Sequence, residues 1–212
     1  MSSFNILKIF IVLFLAQSSL SHPTDNNHNE LLTKVMRKVT PTAFPPGSIL
    51  LILVENFGIV TKHFATEFNN ATEYLLKDEA LMNNNNPEVI EFKNKLNILH
   101  NLYDPVLNDT KYNYDIAAGY VNLTNYYFEQ PEMECKVIKE LLTKYKLKDI
   151  NEKMSIDIEM FFENVIKMFE VSKKYFESEI SLWFDNFAKL NDLQERINSF
   201  IDFSKDQGEK RN

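Results

Sequence analysis

The residues of this chain that could do chemistry are few and scattered. There are four histidines, His22, His28, His63 and His100, and one cysteine, Cys135. A metal site needs ligands that converge, such as two histidines a helical turn apart or paired cysteines. None of the histidines has such a partner, and a lone thiol cannot build a thiolate zinc site. His22 and His28 lie in a polar N-terminal stretch, where a solvated tail is the ordinary reading. Cys135 and His100 are the one imaginable nucleophile and base. An activated thiol wants an electropositive, part-exposed setting. Cys135 falls instead on an apolar helical stripe with Ile138, Leu142 and Tyr145, which reads as a buried structural thiol. No GxSxG, P-loop or GxGxxG motif occurs. The carboxylates lie mostly on polar helix faces, where solvation accounts for them. The expectation is a protein that is no enzyme and uses neither cofactor nor metal.

Modification chemistry is better represented. Three sequons occur, at Asn70-Ala71-Thr72, Asn108-Asp109-Thr110 and Asn122-Leu123-Thr124, and they predict N-glycosylation of Asn70, Asn108 and Asn122 in a secretory compartment. The N-terminus points to that compartment. Residues 1–21 read as a signal peptide: Lys8 precedes the apolar run Ile9 to Ala16, which is too short to span a bilayer, and Ser19 and Ser21 are the small residues before a cut at His22. The chain is expected to be secreted and extracellular.

The formal net charge is −7, and lysines are dispersed among carboxylates. No basic cluster offers a footprint for nucleic acid or an anionic membrane surface. The strongest later apolar run, Ile49 to Val54, is ended by Glu55 and Asn56, so no transmembrane segment is expected. A monomer is the simplest assembly.

The elements that would position side chains are helices throughout. The expected organisation is a disordered N-terminus at 22–29, one helical domain at 30–204 and a frayed tail at 205–212. The fold class is all-α: a single-domain bundle of roughly six to eight helices, the size this length supports, able to enclose an apolar cavity. A short helix near Glu30–Lys38 is stopped by Pro41, Pro45, Pro46 and Gly47. Ser48 can cap a helix over Ile49–Phe68, apolar almost all round and therefore central. Gly58 inside it implies a close neighbour or a break. A turn at Asn69-Asn70 and a helix over Ala71–Leu81 follow. Asn86-Pro87-Glu88 starts the cleanest helix, with Val89, Phe92, Leu96, Leu99 and Tyr103 on one face and Glu91–Lys95 as an outward pair. Asp109–Phe128 carries the stripe Tyr112, Ile116, Tyr120, Leu123 and Tyr127, with Asn122 off it. Glu132–Leu147 is the next helix, and Lys148–Met154 reads as a polar connection. The long final segment, capped at Ser155, carries a stripe from Ile158 to Ile201 with double steps of seven at Lys173 and Gln194. One break is expected in it, near Glu177–Ser181 or Asn191–Asp192. Only four glycines occur, with no period-two alternation and no hairpin signal, so sheet is not expected.

What stands out is the apolar composition: 17 Phe, 9 Tyr and 7 Met. Such stripes ordinarily fill a core. They can also line a cavity, and a secreted carrier would need no catalytic group. Burying about eight methylenes of an acyl chain is worth roughly 6 kcal/mol. Arg37, Lys62, Lys136, Lys139 and Arg196 are candidate anchors for a carboxylate. In that reading Phe57, Phe64, Phe162, Phe169, Phe176, Trp183 and Phe187 contact the ligand.

Two stretches resemble a known family, the secreted fatty-acid- and retinol-binding proteins of nematodes. Asn86-Pro87-Glu88, Lys95-Leu96 and Leu99-His100-Asn101-Leu102 look like that family's Pro-Glu, Lys-Leu and His-Asn-Leu helix. Val165 to Lys174, Trp183-Phe184, Phe187 and Leu193 to Ile201 look like its closing helices. The resemblance implies a wedge of helices around an internal apolar cavity that binds fatty acids and retinol, with no metal and no catalysis. The expected function is thus a secreted binding protein for fatty acids, retinoids or similar small lipids. The alternative is a secreted helical protein–protein interaction protein with a filled core and an exposed apolar patch.

Overall fold

A computed structural model describes residues 46–173 and 176–209. The expected signal peptide, N-terminal stretch, first short helix and Arg37 lie outside the described residues. The described chain is all helical, as the patterning predicts. Its elements are α1 (Pro46–Leu75), α2 (Glu79–Met82), α3 (Pro87–Leu102), α4 (Thr110–Glu129), α5 (Glu132–Lys144), α6 (Leu147–Ser172), α7 (Ser178–Phe187) and α8 (Leu193–Glu209). Among the described residues no helix is long and apolar enough to cross a membrane.

The described chain divides into two compact units, one of Phe57–Glu159 and one that joins residues 46–56 to the described residues from Met160 onward. In the first, α3, α4 and α5 pack against one another. Phe68 stacks on Tyr120 at 5.3 Å, and Phe92 meets Tyr127 edge-on at 5.1 Å. Asn86 caps α3 as expected, its side chain accepting the Glu88 N–H at 2.9 Å, with Pro87 in the first turn. Asp109 caps α4 through the Tyr112 N–H, and Asp78 caps α2 through the Ala80 N–H at 2.8 Å. Cys135 is buried with Ile138 and Leu142, at a non-helical kink in α5.

Several local expectations are corrected, among them the Ser48 cap, since α1 already begins at Pro46, and the Ala71–Leu81 helix, which is split between α1 and α2. No turn forms at Asn69-Asn70: α1 runs on to Leu75. Phe68, Thr72 and Leu75 are fully buried along one face, and the modest helix cost of asparagine is outweighed by that packing. The segment 148–154 is helix, not connection. Leu147, Asn151 and Met154 are buried, and the real break lies just before, where Lys146 takes a left-handed φ of 60°. Ser155 is accordingly mid-helix, its hydroxyl donating to the Asn151 carbonyl at 3.2 Å. The final segment breaks twice rather than once, between α6 and α7 and between α7 and α8. The first break falls at the double step over Lys173, whereas the second, at 188–192, precedes Gln194, which lies within α8.

The other unit is built on rings from α6, α7 and α8. Phe162, Phe169, Phe187 and Phe200 are buried to within about one per cent. Phe169 stacks on Phe176 at 4.7 Å and on Phe184 at 4.9 Å. Trp183 stacks on Phe203 at 3.9 Å and donates its indole N–H to Ser199 Oγ at 3.2 Å. Burying one such side chain is worth about 1.5–3 kcal/mol, so this cluster contributes substantially to the unit's stability. The helix α8 continues into the segment expected to fray, as far as Glu209.

Candidate functional site

Five of the seven predicted ligand residues meet. Phe162 touches Phe187 at 5.5 Å, Phe187 stacks on Trp183 at 5.0 Å, Trp183 meets Phe169 at 5.8 Å, and Phe169 stacks on Phe176. These are the separations of packed aromatic pairs, so the rings fill the space between one another. Phe57 and Phe64 belong to the other unit, where Phe57 lies 6.4 Å from Tyr114 and Phe64 meets His63 at 5.3 Å. The candidate cations have local partners: Lys62 with Asn108 Oδ1, Lys136 with Glu140 at 3.9 Å, Lys139 with the Gln130 carbonyl at 2.7 Å and Arg196 with the Leu190 carbonyl at 2.7 Å.

A concave feature of unit Phe57–Glu159 lies elsewhere. An open groove of about 310 Å³ runs between α3 and α4, lined by Lys95, Ile98 and Leu99 from one helix and Gly119, Asn122, Leu123 and Tyr126 from the other. Both sets recur at steps of three and four, which places each on one face of its helix. Gly119 lets the helices close: a Cβ there would come 2.7 Å from Leu99 Cδ2. Leu123 is buried, while Ile98 and Tyr126 are exposed.

Lys95 is the groove's charged group. Its ammonium pairs with Glu91 at 2.7 Å and lies 4.9 Å over the Tyr126 ring. The hydrogen bond to Glu91 holds its pKa above the usual lysine value. The outward Glu91–Lys95 pair is therefore present as expected, but Lys95 also borders the groove. Sequence reasoning passed over Ile98 and Tyr126 because they lie off the stripes of α3 and α4. The signal was there: Ile98 is a large apolar residue on a face that a core stripe should leave polar.

All three sequon asparagines are exposed. Asn108 is in the connection before α4, whereas Asn70 and Asn122 sit inside helices. The threonines of those two helical sequons, Thr72 and Thr124, are fully buried, and their hydroxyls find no hydrogen-bond partner. The same holds for the Tyr120 and Tyr127 hydroxyls. Burial pushes Tyr120 up to about 12 and Tyr127 further in the same direction. Thr72 is near enough to Tyr120 to oppose the shift slightly, without hydrogen-bond geometry.

Among the described residues no group of three or more His, Cys, Asp and Glu side chains is placed to hold a metal ion. Compared with protein-family models, curated proteins and solved structures, the chain matches none.

Proposed function

We propose that this chain is a secreted, non-catalytic binding protein that takes an apolar segment of a protein partner in the α3–α4 groove. The observation that carries the reading is exposure at that place. Ile98 is 59 % exposed, Tyr126 45 % and Leu102, one turn beyond Ile98, 55 %. Large apolar side chains gathered on one surface usually mark an interaction site. A groove between two helices suits a partner helix that inserts side chains a turn apart, and the Glu91–Lys95 pair supplies a polar rim.

Lys95 favours a second reading, the lipid carrier that the sequence resemblance implies. Its ammonium at the lip of an apolar groove could receive a carboxylate. Against that, the groove's volume is at the small end of ligand sites, which run from about 300 to 1,000 Å³, and an open groove leaves much of an acyl chain in water.

The test uses the chain without residues 1–21, made without glycosylation and panned against a displayed peptide library. The partner reading expects peptides with apolar residues at helical spacing, and loss of their binding in Ile98→Asp and Tyr126→Ala. Equal binding by both variants would overturn it. Native mass spectrometry of the same sample decides for the carrier reading if it finds a bound fatty acid or retinoid that extraction removes.

A further inference from the structure

The wall of the groove contains a glycosylation sequon. Asn122 is exposed, lines the groove, and stands one helical turn before Tyr126 on the same face of α4. Residues at i and i+4 on a helix are surface neighbours. We infer that an N-glycan on Asn122 closes the α3–α4 groove, its first N-acetylglucosamine lying against Tyr126 and Ile98. This rests on the reading of the chain as a secreted binding protein: copies glycosylated at Asn122 have the groove closed, and copies bare at Asn122 keep it open to a partner.

The chemistry is an N-glycosyl transfer. The Asn122 side-chain amide nitrogen forms a bond to C1 of the first sugar and loses a proton. The bond from C1 to the pyrophosphate of a lipid-linked oligosaccharide breaks, and the lipid pyrophosphate leaves with the electron pair. The donor is the lipid-pyrophosphate oligosaccharide of the secretory membrane. In the folded chain Asn122 lies within a helix and the Thr124 side chain is fully buried, so the transfer must precede the folding of α4. Once α4 forms, the sugar is delivered to the groove by its own attachment point.

What the sugar meets there suits it. The CH face of a pyranose packs against aromatic rings, and Tyr126 is half-exposed. The acetamide carbonyl can accept from the Lys95 ammonium, which already stands 4.9 Å over that ring. The groove is open to solvent and offers about 310 Å³, so a sugar ring can lie along it. Asn108 differs: its carboxamide oxygen is held by Lys62, in a connection and outside the groove lining. A glycan there would leave the groove open.

The experiment expresses the full chain in a secretory eukaryotic host, maps the three sequons by glycopeptide mass spectrometry and footprints the protein with hydroxyl radicals. The expected result is sugar on Asn122 and several-fold lower oxidation of Tyr126 and Ile98 than in Asn122→Gln. Leu182, 65 % exposed, should react equally in both. Native enzymatic removal of the glycan should restore Tyr126 reactivity, which guards against a folding defect in the variant. Sugar on Asn108 or Asn70 with Asn122 bare overturns the inference and leaves the secretory reading standing. Sugar on Asn122 with unchanged Tyr126 reactivity overturns it as well. If no sequon carries sugar the inference falls, while release of the chain into the medium, or its retention in the cell, decides the secretory reading separately.

Discussion

Asp78 and Lys144, 66 positions apart, join their side chains at 2.6 Å. Tyr145 donates its hydroxyl to the same carboxylate oxygen at 2.7 Å, and the other oxygen caps α2. One carboxylate thus ties the start of α2 to the end of α5. The hydrogen bond from Lys144, then those from Tyr145 and the Ala80 N–H, pull the Asp78 pKa down to about 2.

That shift gives a pH prediction. A carboxylate whose folded pKa is depressed contributes stability that is complete above its unfolded value, about 3.9, and is lost as pH falls through the folded value of about 2. Urea midpoints of the wild type should therefore fall between about pH 4 and pH 2 more steeply than those of Asp78→Asn. Asparagine keeps the helix cap, so the difference isolates the charge. Parallel curves for the two proteins would contradict the linkage.

The buried tyrosine hydroxyls give a second. Tyr127 is fully buried and its hydroxyl is unpartnered. An unsatisfied buried polar group costs about 1–3 kcal/mol, so Tyr127→Phe should be neutral or stabilising, by up to about 1 kcal/mol. The pH dependence runs opposite to that of Asp78. A tyrosine raised on folding is stable below its ordinary pKa, near 10, and loses that stability as pH climbs towards the folded value, about 12 for Tyr120. Alkaline unfolding should be shallower in Tyr120→Phe, as followed by circular dichroism.

Gly58 and Thr110 are close neighbours. A Cβ on Gly58 would lie 2.6 Å from Thr110 Oγ1. Alanine at a mid-helix glycine normally gains up to about 1 kcal/mol. In Gly58→Ala that gain should be cancelled by the clash, and it should reappear when Gly58→Ala is made on a Thr110→Ala background. A double-mutant cycle by chemical denaturation measures the coupling; additive effects would refute the contact.

Phe187 tests the ring cluster. It is fully buried and touches Phe162, Trp183 and Phe200. Phe187→Ala should cost about 3–5 kcal/mol and alter Trp183 emission, since the indole loses a stacked neighbour. Leu182→Ala, on an exposed residue of the same helix, should stay within about 0.5 kcal/mol.

Helix identity was legible in the sequence because it rests on periodicity and caps. Asn86-Pro87 and Asp109 start helices where their side chains can accept backbone N–H groups, and the stripes of α3 and α4 put Phe92, Leu96, Tyr120 and Tyr127 in the core. Boundaries failed where polar composition misled. Asn69 and Asn70 look like a turn, yet Asn69 is held in α1, where its Oδ1 accepts from His100 Nδ1 at 2.8 Å. Lys148 to Met154 looks like a linker, yet Lys148 pairs with Glu152 at 3.6 Å along a helix. The groove was not legible because it depends on two faces from different helices meeting around Gly119. No periodicity within one helix reports what a second helix leaves uncovered.

The division into units bears on the order in which the chain can assemble. Phe57–Glu159 is continuous, so every contact within it is available as soon as that stretch has left the ribosome. The other unit joins residues before Phe57 to residues after Glu159, and its Trp183–Phe203 stack must wait for the last described helix. Because domains fold as their residues emerge, α4 belongs to the early half of this vectorial sequence. Any enzyme that must read Asn122 in extended form is therefore racing the folding of its own substrate, while Asn108, in a connection, stays readable for longer.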